Sequence, residues 1–170
     1  MVILGHRGSG WQDDQLPWYI ENSLLAFAEA EELGADGIET DVRLYNNELV
    51  LHHDPIIECG WERSPTKLVD VLEWANDSLV LNLEIKDSAA VDPLIDMLRS
   101  YDNKTYIISS FWHKAVVKVK EELSFVEAGL ILPFNPISSL LLKELIPPCI
   151  DVIVWDYTIL DRKLVHTLAD

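Results

Sequence analysis

What this chain most plainly lacks is clustered positive charge. Its 170 residues hold 13 Lys and Arg against 29 Asp and Glu, a formal net charge of −16. A nucleic-acid partner requires basic groups that displace counterions from phosphates, so this balance excludes that class of function and disfavours anionic membrane surfaces. Cysteine is scarce too. Cys59 and Cys149 are the whole complement, far apart and in no zinc-binding spacing, which reads as reduced thiols of a cytoplasmic protein. No apolar run approaches the roughly 20 residues that span a bilayer, so no stable membrane insertion is expected. No basic segment of the kind that opens a leader precedes the first strand. Internal repeats, low-complexity tracts and linkers are missing as well. What is there is a globular composition, 49% hydrophobic and 25% charged, with enough length for one sizeable core. A cleft in so acidic a chain attracts a divalent cation before it attracts a phosphate.

Short apolar strands alternate with helices, and ionisable residues collect where the strands end. Met1 to Gly8, MVILGHRG, reads as a buried strand that delivers His6 and Arg7 to its C-terminal end. Later strands finish in Glu39-Thr40-Asp41, His52-His53-Asp54 and Glu84-Ile85-Lys86. Such ends are where α/β barrels and open parallel sheets place their sites. Beyond a loop carrying Trp11 and Trp18, Asn22 or Ser23 caps a helix from Leu24 to Leu33. That helix turns Leu24, Phe27, Ala28 and Ala30 inward and closes on Gly34. In the next strand, Asp36 to Val42, side chains alternate, so Glu39 and Asp41 share one face and Ile38, Thr40 and Val42 the other. The turn Tyr45-Asn46-Asn47 leads to a strand from Leu49 to His53. A helix begins at Thr66. In the strand Leu79 to Lys86 the polar Asn82, Glu84 and Lys86 alternate with Leu81, Leu83 and Ile85. With helices before and after it, its apolar face meets helices and its polar face lines an enclosed centre. Strands at Thr105 to Ser110, Glu127 to Leu132 and Asp151 to Asp156 follow. Helices are expected at Ala89 to Ser100, His113 to Leu123, Ile137 to Leu145 and from Leu160 onward.

This alternation predicts an α/β protein with a parallel sheet, a TIM-type (β/α) barrel spanning residues 1–170 as one domain. The alternative is an open doubly wound sheet. A complete barrel takes about 200 residues or more. Seven strands are one short, which predicts a chain truncated at its C-terminus.

His6-Arg7-Gly8, Glu21-Asn22, the run from Gly34 to Val42, His53-Asp54 and Leu83-Glu84-Ile85-Lys86 together resemble the ordered motifs of the glycerophosphodiester phosphodiesterase family. Ser109-Ser110-Phe111 resembles the end of that family's fifth strand. The resemblance implies a TIM barrel that uses a divalent metal to hydrolyse glycerophosphodiesters to glycerol 3-phosphate and an alcohol. By position, Glu39, Asp41 and Glu84 would be the metal ligands, His6 and His53 the acid/base pair, and Arg7 and Lys86 the phosphate-binding groups. The partner it implies is a small-molecule glycerophosphodiester. The sequence departs from the family in four places, one of them the missing tryptophan-containing end of the eighth strand. Twelve residues separate Gly8 from Glu21, Ile20 stands where proline is common, and the stretch between Asp54 and Thr66 is short.

The residue types agree with those roles on chemical grounds. Three carboxylates, with neither cysteine nor an H-E-x-x-H pair, suit a hard ion, Mg²⁺ or Ca²⁺, over zinc. Cleaving a phosphodiester requires charge neutralised on the non-bridging oxygens and proton transfers to and from oxygen, which cations and two histidines supply near neutral pH. Two other functions stay open: a phospholipase-like lyase that releases a cyclic phosphate, and a silent barrel that only binds. Among single residues, Glu21 reads either as a charge at a helix N-terminus or as a group beside the metal. His52 reads as structural, and His113 and His166 as helix-surface residues. Trp74 reads as packing, and Trp61 joins Trp11 and Trp18 in loops at the mouth.

Overall fold

A computed structural model describes residues 1–9, 20–55, 64–134, 136, 138–160 and 162–169. Cys59, Trp11, Trp18 and Trp61, singled out in the sequence, lie outside these residues. The strands are β1 (Leu4–His6), β2 (Gly37–Tyr45), β3 (Glu48–Leu51), β4 (Val80–Ile85), β5 (Thr105–Ser110), β6 (Glu127–Leu132) and β7 (Val152–Trp155). Helices α1 (Leu24–Glu32), α2 (Leu68–Trp74), α3 (Val91–Leu98), α4 (His113–Glu122), α5 (Ser139–Leu145) and α6 (Arg162–Ala169) alternate with them. The sheet runs β1-β2-β4-β5-β6-β7, with every pair along that path parallel. It is a (β/α) barrel open on one side, and among the described residues β1 and β7 are its edges. No helix among the described residues is long and apolar enough to cross a membrane.

Two strands depart from the sequence expectation. The stretch read as a buried strand over Met1 to Gly8 is a strand only at Leu4–His6 and has no buried residue, with Met1, Val2 and Ile3 exposed, because β1 is an edge of the sheet among the described residues. β3 does not take a place among the parallel strands but folds back antiparallel on β2, Val42 opposite Leu51 and Tyr45 opposite Glu48. The cause is the loop between them. Asn46 and Asn47 both adopt left-handed backbone, at φ 48° and 65°, the conformation of a two-residue hairpin turn that asparagine tolerates. Parallel strands need a crossover of a dozen residues or more. Among the described residues seven strands are present, of which six are parallel.

β4 explains how the site is enclosed. Leu81, Leu83 and Ile85 are at most 1% exposed, packed with Ile38, Val42, Phe27, Leu94 and Leu98 between sheet and helices. The polar alternates on the same strand are buried as well, Asn82 and Glu84 each 8% exposed. A strand buried on both faces has its polar face inside the barrel, not in water. Trp74 packs against Phe27 with ring centroids 6.2 Å apart.

Helix α1 buries Ala26, Phe27 and Ala30, so the covered stripe includes Ala26 where the sequence pattern places Ala28. The loop after β1 fixes that rotation. Gly8, at φ 93°, lies so close to α1 that a Cβ there would meet the Ala26 carbonyl carbon at 2.6 Å. Ser9 N donates to Ala26 O over 2.9 Å. Ser23 caps the helix, its hydroxyl accepting from Ala26 N, and Gly34 follows its end at φ 91°.

Gly8 and Gly34 separate two costs. Gly34→Ala meets only the left-handed penalty, since nothing lies within 4 Å of its Cβ position, and should lose about 1–2 kcal/mol. Gly8→Ala adds a backbone clash and should lose about 2–4 kcal/mol. Urea unfolding of the two variants, with Gly8→Ala the weaker, is the expected result.

Candidate active site

The parallel registers assemble the site. β1 sets His6 beside Glu39, and β2 and β4 set Asp41 beside Glu84. Because Glu39 and Asp41 share the inner face, one carboxylate oxygen each of Glu39, Asp41 and Glu84 falls within 4.8 Å of the others, all three residues buried. Two cations close over them. Lys86 Nζ lies 3.0 Å from Asp41 Oδ1 and 2.5 Å from Glu84 Oε1. Arg7 places Nε 3.3 Å from Asp41 Oδ2, and its backbone N–H donates to Glu39 Oε2 over 3.1 Å. His6 Nε2 stands 3.8 Å from Glu39 Oε2, with 72% of its side chain exposed at the rim.

Thus six of the seven residues singled out in the sequence converge through direct contacts. His53 is tied to β2 through its neighbour, since His52 N donates to Asp41 O over 2.9 Å. Its ring Nδ1 pairs with Asp54 Oδ1 at 3.0 Å. Glu21, ambiguous in the sequence, accepts from Arg7 Nη1 at 2.9 Å and so braces the guanidinium. His113 is half-buried, not a plain surface residue, with Nε2 3.2 Å from Ile131 O. His52 is bound locally, Nδ1 to Asp54 O at 2.9 Å.

Two residues that the sequence reading did not place matter here. Asn22, 3% exposed, donates Nδ2–H to Asp41 Oδ2 over 2.8 Å and accepts from Thr40 Oγ1 over 2.6 Å. In the sequence it reads as a candidate helix cap and as part of the Glu21-Asn22 motif, while its left-handed φ of 58° and its long-range partners are tertiary. Arg43 continues the row Glu39, Asp41 by the same period of two, and that parity was the available signal.

Charge is balanced unevenly among the acids. Burial, then the neighbouring Asp41 charge, pushes Glu39 up to about 8, against its ordinary 4.5, despite the Arg7 amide. Burial acts on Asp41 in the same direction. The Asn22 hydrogen bond and the Lys86 charge outweigh it and hold Asp41 below the usual range. Arg7 is held more firmly protonated: burial opposes this, but the Glu21 hydrogen bond and the Asp41 charge exceed it. Partial burial and the Arg7 charge lower His6, which favours its neutral, proton-accepting form.

The cluster fits a hard cation. All three donors are carboxylates, and Asp41 Oδ1 and Glu84 Oε1 are buried without a hydrogen bond of good geometry, although Lys86 is within ion-pair distance of both. Convergent oxygen lone pairs left unused are what Mg²⁺ or Ca²⁺ coordination takes up.

The chain is similar to known proteins in sequence and in fold. The profile of the Glycerophosphoryl diester phosphodiesterase family matches residues 6–85. A protein of Caldanaerobacter subterraneus subsp. tengcongensis called glycerophosphodiester phosphodiesterase is 30% identical, over 76% of this chain and 66% of its own length. The chain therefore spans just under two thirds of that relative. An Oleispira antarctica phosphodiesterase solved with the product sn-glycerol-3-phosphate shares the fold, with a TM-score of 0.72 at 19% identity, over 99% of this chain and 80% of its own. A Galdieria sulphuraria structure bearing the glycerophosphodiester phosphodiesterase name gives a TM-score of 0.75 at 21% identity, covering 99% and 80%.

The raised Glu39 carboxyl makes a signed prediction for the metal-free protein. A carboxyl raised on folding contributes stability that is full below its unfolded value near 4.5 and is lost as pH rises through about 8. Glu39→Gln should therefore match the wild type at about pH 5 and exceed it in urea midpoint at about pH 9. Equal midpoints at both pH values would contradict this charge assignment.

Proposed function

Since this chain belongs to the glycerophosphoryl diester phosphodiesterase family, we propose that it hydrolyses glycerophosphodiesters to glycerol 3-phosphate and an alcohol. The observation that carries this reading is the convergence of Glu39, Asp41 and Glu84 with Arg7 and Lys86 at the C-terminal ends of three neighbouring parallel strands. The product bound to the Oleispira antarctica protein supports glycerol 3-phosphate as the phosphorus-containing product.

Each residue has a task that follows from its surroundings. Glu39, Asp41 and Glu84 would hold one Mg²⁺ or Ca²⁺, which supplies positive charge to the non-bridging phosphate oxygens. Arg7 and Lys86, 21% and 12% exposed and already charged, donate to the same phosphoryl group. In a site so largely closed to water these interactions are stronger than at a surface. His6, lowered toward its neutral form, takes the proton of the attacking group, which is either water or the neighbouring glycerol hydroxyl, and in the second case water then opens the cyclic phosphate to glycerol 3-phosphate. His53, paired with Asp54, gives a proton to the departing alkoxide. Asn22 holds Asp41 from behind, leaving Oδ1 directed into the site.

The test is turnover of a glycerophosphodiester followed by phosphorus NMR. EDTA should abolish it, and Mg²⁺ or Ca²⁺ should restore it. Asp41→Asn should reduce it about 10³-fold, and His6→Ala or His53→Ala about 10²–10⁴-fold in kcat. Undiminished hydrolysis in EDTA, or by Asp41→Asn, overturns the reading.

A further inference from the structure

Arg43 is the residue at this site whose contacts are not used by the chemistry above. It lies on the inner face of β2, one alternation past Asp41, with 13% of its side chain exposed. Its guanidinium does not point at the carboxylate cluster's oxygens but at backbone carbonyls. Nε donates to His52 O and His53 O, both over 3.1 Å, and Nη2 donates to His53 O over 2.5 Å. On its other side Nη1 lies 3.8 Å from Asp87 Oδ2.

Asp87 immediately follows Lys86 and is itself well fixed. Its Oδ2 accepts from Leu44 N at 3.3 Å, and its Oδ1 accepts from Ala90 N at 3.1 Å, capping the short 3-10 turn Ser88–Ala90. Lys86 N donates to Val42 O over 3.0 Å. The loop that carries Lys86 is therefore anchored on β2 around Arg43. The loop that carries His53 has a weaker hold: its ladder bond is His52 N to Asp41 O, and Asp54, the ring's partner, is 76% exposed.

We infer that Arg43 is a positioning residue whose guanidinium fork sets the His53 backbone against the Lys86 loop, and thereby fixes the acid/base histidine relative to the phosphate. This rests on the proposed phosphodiesterase reading for its consequence, but not for its geometry. A planar fork with several parallel donors can grip two successive carbonyls and a carboxylate at once, and an ammonium group cannot. Arg43→Lys should therefore fail to replace it.

The experiment compares Arg43→Met, Arg43→Lys and Arg43→Ala, with and without ethylguanidinium. Misplacing a proton donor by about 1 Å can cost up to about 10²-fold. Both Arg43→Met and Arg43→Lys should lose at least about tenfold in kcat, with KM and Mn²⁺ affinity held within about threefold. Ethylguanidinium should restore part of the Arg43→Ala rate, and the His53 Cε1–H resonance should shift or broaden in Arg43→Met. Urea midpoints show that each variant is folded. The inference is overturned if folded variants keep kcat within about twofold, or if Mn²⁺ affinity falls in step with kcat, since Arg43 would then act on Asp41. If the wild-type chain turns over no glycerophosphodiester, the phosphodiesterase reading is what fails. The His53 resonance then decides alone, and an unchanged signal in Arg43→Met sinks the positioning role.

Discussion

Three carboxylates within 4.8 Å of one another, buried inside a barrel, set the terms for everything around them. Two ionised groups at that separation repel by roughly 3–4 kcal/mol at an effective dielectric of about 20. A hydrogen bond from a neutral donor returns only about 1 kcal/mol, and one to a charged acceptor about 1.5–3 kcal/mol. Asn22 alone cannot offset the repulsion. Cations are required, and Lys86 and Arg7 are both drawn in to ion-pair distance. Even so, Glu39 is left with a carboxyl near 8, a proton standing where a further positive charge would be better placed.

That demand reaches into the backbone. Arg7 and Asn22 are both left-handed, at φ 55° and 58°, a conformation that asparagine tolerates but that costs Arg7 about 1–2 kcal/mol. They support each other, Asn22 N donating to Arg7 O over 3.0 Å. The strained turn at Arg7 is what aims its amide at Glu39 while its guanidinium reaches Asp41 and Glu21. Strain kept beside a cluster of charges signals preorganisation, because only surrounding structure that over-determines the turn can hold it. Gly8, pressed against α1 where no Cβ fits, is part of that surrounding structure.

The faces of these strands were legible in the sequence because a strand has a period of two. Glu39-x-Asp41 and Asn82-x-Glu84-x-Lys86 could only present their polar groups together, and flanking helices told which face was inside. Register was not legible. Nothing local to β2 or β4 states that Asp41 sits beside Glu84; that follows from how Ile38, Val42, Leu83 and Ile85 pack as one layer. The direction of β3 is written in its turn. Asn46-Asn47 between two apolar runs is a hairpin signal, and strand alternation alone counted β3 with the parallel strands. The role of Asn22, though not the residue itself, was hidden for a different reason, since its partners Thr40 and Asp41 lie 18 and 19 residues away.

The reversed strand also decides where His52 and His53 lie. A parallel strand after β2 would have crossed over a helix and begun again at the far end of the barrel. An antiparallel one turns at Asn46-Asn47 and runs back along β2 toward Asp41, which is why His52 N meets Asp41 O. The arrangement carries a weakness. Beyond Leu51 the ladder stops, and the chain must hold His53 near a cluster of charges without strand pairing. Arg43, supplied by β2 itself and bonded to both histidine carbonyls, replaces the missing ladder. One strand thus provides two acids and the guanidinium that restrains a histidine, so the geometry of the site depends on the register of β2 more than on any loop.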